Sequence, residues 1–165
     1  MKYYNDIRDL IGNTPILKLN NISTKEGVNI YAKIEGTSPG GSCKDRVGIY
    51  MVEKAEKEGK LKPGSTIIEA TAGNTGIGIA LAAINKGYKI MFIVPDKFSI
   101  EKQKIMKALG AEIINTPKEE GMEGAINLAN SLLSEIPNSL SLNQFKNGAN
   151  PLAHYETTGR ELRSE

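Results

Sequence analysis

Thr66-Ile67-Ile68-Glu69, then Ala70-Thr71-Ala72-Gly73, then Asn74-Thr75-Gly76-Ile77-Gly78 running on to Lys86, is the stretch from which the fold can be read. Its first four residues are a short run of strand type, rich in β-branched side chains. From Asn74 to Lys86 the chain is apolar almost all round, with Ile77, Ile79, Leu81 and Ile84, which predicts a buried helix. A glycine-rich loop therefore stands between a strand and the helix that follows it.

The same alternation continues on both sides. Ile30 to Ile34 is a short apolar run of strand type. Lys44 to about Glu58 places Val47, Met51, Val52 and Ala55 at helical spacing, and Gly59 stops that helix. Downstream, Lys89 to Val94 is a β-branched strand ended by Pro95. Ser99 caps a further helix with Glu101 in its first turn and Ile105, Met106 and Leu109 on its inner face. Residues 111–114 read as a strand, Gly121 to about Glu135 as a helix, and 139–142 as another short strand. Strands alternating with helices imply right-handed crossovers, so the fold class is α/β, a parallel sheet with helices on both faces. In such sheets ligands bind beyond the carboxyl ends of the strands.

Composition narrows the function. The 165 residues suit one compact domain, and 39% hydrophobic with 24% charged residues argues against disorder. A net charge of +2, with lysines scattered among glutamates, gives no reason to expect nucleic acid. No segment approaches the roughly 20 apolar residues needed to span a bilayer, so no membrane is expected. One cysteine cannot close an internal disulfide, which points to a reducing cytoplasm, and one histidine cannot build a His-based metal site. The 17 glycines are the unusual number, and they gather in two loops.

In the first loop, residues 36–46, Pro39-Gly40-Gly41 forces a tight turn and Ser42 can cap the helix behind it. Lys44 then sits in the first helical turn, where the dipole disfavours a cation and favours the neutral, nucleophilic amine. Taken alone, a lysine there is far more often a solvated one, here beside Asp45 and Arg46. Asp45 after the lysine excludes a Walker A loop, which needs Ser or Thr there. In the second loop the order Gly73-x-x-Gly76-x-Gly78 reverses the dinucleotide fingerprint. Thr71, Gly73 and Thr75 instead offer backbone N–H groups and hydroxyls at a helix N-terminus, a cradle for carboxylate or phosphate. Asn74 either caps the helix or reaches a ligand oxygen; Gly76 and Gly78 allow close packing.

Together the loops carry more than either alone. A lysine after a Gly-Gly turn, followed by T-x-G-N-T-G, resembles the fold-type II pyridoxal-phosphate enzymes, and within them the cysteine synthase and cystathionine β-synthase family. The opening Ile11-Gly12-Asn13-Thr14-Pro15, the lysine segment 38–46, Lys107-Ala108-Leu109-Gly110-Ala111-Glu112, Gln144-Phe145 and residues 150–159 all resemble family motifs, in the same order.

The resemblance implies pyridoxal 5'-phosphate held covalently by Lys44, whose amine takes the Cα proton once substrate displaces it. It implies that Asn74 bonds the phenolic oxygen of the pyridoxal ring. Thr71, Gly73, Thr75 and Gln144 would bind the substrate α-carboxylate. The implied reaction is β-elimination from an activated serine followed by addition of a sulfur nucleophile: sulfide for a cysteine synthase, placed first, or homocysteine for a cystathionine β-synthase. A serine/threonine dehydratase shares the fold, but its S-F-K-x-R-G motif fits S-C-K-D-R-V less well. Ala72 departs from the usual Ser, Cys43 is expected to pack beneath its loop, and His154 is expected to be structural. Residues 1–42 are expected to belong to a larger cofactor domain, 43–150 to form the small α/β domain, and 151–165 to begin the return. Family members run to about twice this length and form homodimers. The chain is therefore expected to be an N-terminal half or fragment with little turnover by itself.

Overall fold

The computed structural model describes residues 1, 3–20 and 27–164. An antiparallel pair comes first: β1 (Ile16–Lys18) and β2 (Tyr31–Lys33), with Ile16 opposite Lys33. Then follow α1 (Lys44–Lys57), β3 (Thr66–Ala70), α2 (Asn74–Ala83), β4 (Lys89–Pro95), α3 (Ile100–Ala108), β5 (Glu112–Thr116), α4 (Gly121–Glu135) and β6 (Ser139–Leu140). β3 to β6 form one parallel sheet in the order β5-β4-β3-β6. Ile67, Phe92 and Val94 face a core shared with Val47, Met51 and Met106 of α1 and α3 and nearly all of α2. Ile68 and Ile93 point the other way, onto Ala125 and Ala129 of α4. The α/β reading, with helices on both faces of a parallel sheet, holds. After β6 the chain forms α5 (Ala149–Ala153), a π-helical turn over His154–Thr158, and α6 (Gly159–Ser164).

Several boundaries move. The first expected strand contracts to Tyr31–Lys33. α2 ends at Ala83 rather than Lys86, because Ile84 is extended and Asn85 turns left-handed at φ 59°. β5 begins at Glu112 and extends to Thr116 to stay alongside β4, where Asn115 also donates from Nδ2 to the Val94 carbonyl at 3.1 Å. Ile105 is 47% exposed; Gln103 and Met106, three residues apart on one helical face, take the inner positions on α3. Ser99 caps α3 as expected, its Oγ accepting from the Lys102 N–H at 3.3 Å. β6 stops at Leu140, for a reason given below.

α1 and α2 meet backbone to backbone. A Cβ added to Gly48 would lie 2.2 Å from the Gly78 carbonyl, and one added to Gly78 would lie 2.3 Å from the Lys44 carbonyl oxygen. Gly76 is closed in the same way by Met106 Sδ at 2.5 Å and Thr71 Cγ2 at 2.8 Å. Gly48→Ala and Gly78→Ala must therefore push two helices apart. Each is expected to cost about 3 kcal/mol or more in urea unfolding, at the upper end for overpacking. Gly148→Ala, with helical backbone angles and nothing within 4 Å of its added Cβ, should leave the midpoint unchanged.

Candidate active site

The lysine loop is built from the turn outward. Gly41 donates to the Ser38 carbonyl at 2.8 Å and adopts φ +75°, which glycine tolerates. Ser42 Oγ accepts from the Lys44 N–H at 3.2 Å, while Cys43, half-buried, occupies the capping position itself. Asp45 folds back so that Oδ2 accepts from the Gly40 N–H at 2.6 Å; its Oδ1 is buried without a partner among the described residues. Burial pushes the Asp45 carboxyl up to about 6. Lys44 is half-buried, and among the described residues its amine has no hydrogen-bond or ion-pair partner.

Arg46 anchors this loop. It is 2% exposed and lies between two carboxylates. Nε and Nη2 donate to Glu35, each at 2.8 Å, and Nη1 and Nη2 donate to Glu161. Thr14 Oγ1 donates to Glu35 at 2.6 Å, the Asn13 N–H donates to Glu161 at 3.0 Å, and Lys33 pairs with Glu161 at 3.0 Å. The hydrogen bond from Arg46 holds Glu161 down to about 2 and keeps Glu35 below its usual range. The Ile11-Gly12-Asn13-Thr14 motif thus latches the N-terminal segment and α6 to the first turn of α1.

The second loop begins where β3 ends. The N–H of buried Thr71 donates to the Ile93 carbonyl at 3.2 Å; its hydroxyl bonds to no described residue. Gly73 takes the capping position of α2, so Asn74 is the first helical residue and does not cap; its side-chain amide is unpaired among the described residues. Thr75 Oγ1 donates to Gln144 Oε1 at 2.6 Å, joining two expected site residues that lie 69 positions apart. Space is open beside Gly73, where an added Cβ would come no closer to any neighbour than 3.7 Å, from Lys102 Nζ. Gln144 also borders a cavity of about 130 Å³ with Glu69, Met122, Ile126 and Phe145. Close by in charge terms, His154 bonds Thr158 Oγ1 through Nδ1 at 3.0 Å; burial, then Lys44 and Arg46, depress its basicity.

Residues 7–165 match the family described as pyridoxal-phosphate dependent enzyme. The chain belongs to that family. It is 55% identical over 162 residues to the O-acetylserine dependent cystathionine beta-synthase of Bacillus subtilis, covering 98% of this chain and 53% of the relative. It is 51% identical to a Flavobacterium cysteine synthase, covering 98% and 52%. A crystal structure of O-acetylserine dependent cystathionine beta-synthase from Helicobacter pylori superposes with a TM-score of 0.89 at 47% identity, covering 98% of this chain and 54% of that one. The chain spans about half the length of these relatives.

The donors found here fit the cofactor of this pyridoxal-phosphate-dependent family. Among the described residues, an amine without a partner begins α1, and an amide without a partner begins α2. The two helices touch between these points, at the Lys44 carbonyl and Gly78. Three further residues, Arg46, Glu69 and Lys102, help build the site and were not singled out from the sequence. Lys102 carried a visible signal, a cation in the first turn of a helix, which is the oddity that marked Lys44. Glu69 carried another, a lone charge inside an apolar strand.

Two stability predictions follow from the charges. Arg46→Ala leaves Glu35 and Glu161 facing each other without their shared cation, and is expected to cost about 3–5 kcal/mol in chemical denaturation. Glu161, held near 2 against an ordinary 4.5, stabilises fully above pH 4.5 and loses that contribution as pH falls through about 2. Asp45, raised to about 6 from 3.8, contributes fully below pH 3.8 and loses its contribution as pH rises through about 6. Thermal melts across pH should show Glu161→Gln flattening the acid limb and Asp45→Asn flattening the decline between pH 4 and 6.

Proposed function

We propose that this protein catalyses pyridoxal-phosphate-dependent β-replacement on O-acetylserine, with sulfide as nucleophile and L-cysteine as product. The observation that carries the reading is the Thr75–Gln144 hydrogen bond at the N-terminus of α2, beside the unpaired Asn74 amide. Because Thr75 satisfies Gln144 Oε1, the Nε2 donors of Gln144 are the atoms left for a substrate carboxylate. The Thr71 hydroxyl and the N–H groups of the 71–75 loop complete that anion cradle, aided by the helix dipole. Ala72 packs against the core and offers no hydroxyl.

When bound, pyridoxal phosphate supplies the electron sink that stabilises a carbanion at Cα. Lys44 would hold the cofactor through its amine and afterwards move the Cα proton, two tasks that suit an amine with no competing partner. Asn74 would orient the ring by donating to its phenolic oxygen. The separation of the β1–β2 pair from the four-stranded sheet supports reading residues 1–42 as part of a larger cofactor domain. Residues 43–150 are then the small domain, and 151–165 the start of the return.

A second reading, homocysteine as nucleophile and cystathionine as product, is favoured by Lys102. Its amine, unpaired among the described residues, lies beside the open space at Gly73 and offers a partner for a second carboxylate, which homocysteine carries and sulfide lacks. The naming of the Bacillus subtilis relative points the same way.

Assays of the complete natural polypeptide with O-acetylserine and either nucleophile separate the two. Lys44→Ala is expected to lose the visible absorption of the bound cofactor and to lower turnover by roughly 10²–10⁴-fold. Retention of both would overturn the assignment. Lys102→Ala should raise the KM for homocysteine by about tenfold or more while leaving sulfide kinetics unchanged. Turnover with sulfide alone would remove the second reading.

A further inference from the structure

We propose that Glu69 is a positioning residue: its side chain holds the 141–144 turn so that Gln144 meets Thr75 and completes the substrate-carboxylate cradle. The proposal rests on the functional reading above. Glu69 lies on the central strand β3, is 5% exposed, and pairs with no Lys or Arg among the described residues. Its carboxylate is satisfied by one short segment. Ser141 Oγ donates at 2.6 Å and the Leu142 N–H at 3.0 Å, both to Oε2, while the Asn143 N–H donates to Oε1 at 3.0 Å; the Gln144 N–H also contributes.

This is why β6 is two residues long. Its ladder with β3 ends at Ile67↔Leu140, and the following N–H groups turn to a side chain of β3 instead of its backbone. Asn143, left-handed at φ 46°, lets successive N–H groups converge on one anion. Gln144 is thereby fixed at its main chain and its amide oxygen, for its carbonyl accepts from Asn150 Nδ2 at 3.0 Å and its amide oxygen from Thr75. The end of β3 thus builds both walls of the cradle. Its main chain runs forward into 71–75, and the side chain two residues before Thr71 reaches sideways to 141–144.

A purely structural link did not need a charge. Burial pushes Glu69 above the ordinary carboxyl range, so the fold alone would favour a neutral side chain. Glutamine, however, has one acceptor oxygen where two are used: with Oε1 and Oε2 both receiving N–H groups, its amide nitrogen would face a donor.

The test uses the complete polypeptide loaded with cofactor, with L-serine as the probe carboxylate. Glu69→Gln should raise the Kd for L-serine, read from the change in cofactor absorption, at least tenfold. Turnover at saturating substrate should change less than threefold, and cofactor content should be unchanged. Hydrogen exchange of the 142–144 amides should accelerate at least tenfold. Because Glu69 acts through Gln144, the double variant Glu69→Gln/Gln144→Ala should bind serine no more weakly than Gln144→Ala alone. Unchanged amide protection, unchanged serine binding in Glu69→Gln, or losses that multiply in the double variant would overturn the proposal. If Glu69→Gln does not fold, Ser141→Ala decides: a threefold loss of serine affinity supports the proposal and no change overturns it. A wild-type protein that loads cofactor yet binds neither L-serine nor O-acetylserine overturns the functional reading, and this proposal with it; one that binds O-acetylserine alone is tested with O-acetylserine as the probe.

Discussion

The contact between Gly48 and Gly78 is the constraint on which the arrangement of the site depends. Helices normally cross at 8–10 Å between axes, kept apart by their side chains. Here α1 and α2 present hydrogen atoms to each other, and the carbonyl of Lys44 rests where a side chain of Gly78 would stand. Gly78 is four residues from Asn74, about one helical turn. The first turns of the two helices are therefore pinned together, and with them the two loops that feed them. Two glycines inside helices cost about 1 kcal/mol each in backbone freedom. That cost is offset by burying α2 on nearly all sides, between α1 and the sheet.

Pinning two helices does not fix the loop that precedes one of them. That task falls to Arg46, which removes a guanidinium from water and compensates it with two carboxylates, while Lys33 shares Glu161. Two cations and two anions make a locally neutral quartet, the condition under which buried charge is tolerated. Glu35 and Glu161 come from opposite ends of the sequence, so closing the quartet also closes the chain around α1. The side chain after Lys44, Asp45, is tied back onto the turn before it. The Lys44 amine is left uncommitted among the described residues.

Much of this was legible in the sequence because it rests on local rules. The β-branched run at 89–94, the Ser99 cap, the apolar circumference of 74–83 and the glycine at 59 each decide their own neighbourhood. The Thr71–Thr75 cradle was likewise visible as glycine and hydroxyl residues at a strand-to-helix change. What the sequence obscured depends on partners far along the chain. The length of β6 is set by a carboxylate 72 residues earlier, and the inner face of α3 is set by what β5 and the 94–98 segment offer to Gln103. Asn74 was ambiguous for a related reason: capping and ligand binding call for the same amide, and only the backbone of Gly73 decides which residue caps.

The charges at the site then sort by a single principle. Of the buried acids near the loops, Glu69 spends both oxygens on the 141–143 segment, and Asp45 turns Oδ2 onto the Gly40 N–H. The amines of Lys44 and Lys102 and the amide of Asn74 remain unpaired among the described residues, and Asn74 and Lys102 stand in the first turns of α2 and α3, where the helix dipoles are positive. Resident negative charge is withdrawn into hydrogen-bonded cradles, while the Lys102 amine is left beside the open space at Gly73. A region so polarised favours an anionic group, including the carboxylate of a zwitterion, over a cationic one. Under the proposed function, an amino acid would enter this region carboxylate-first, toward Thr75 and Gln144. Under that reading, substrate orientation would depend on where Glu69 spends its hydrogen bonds as much as on the residues that would touch the substrate.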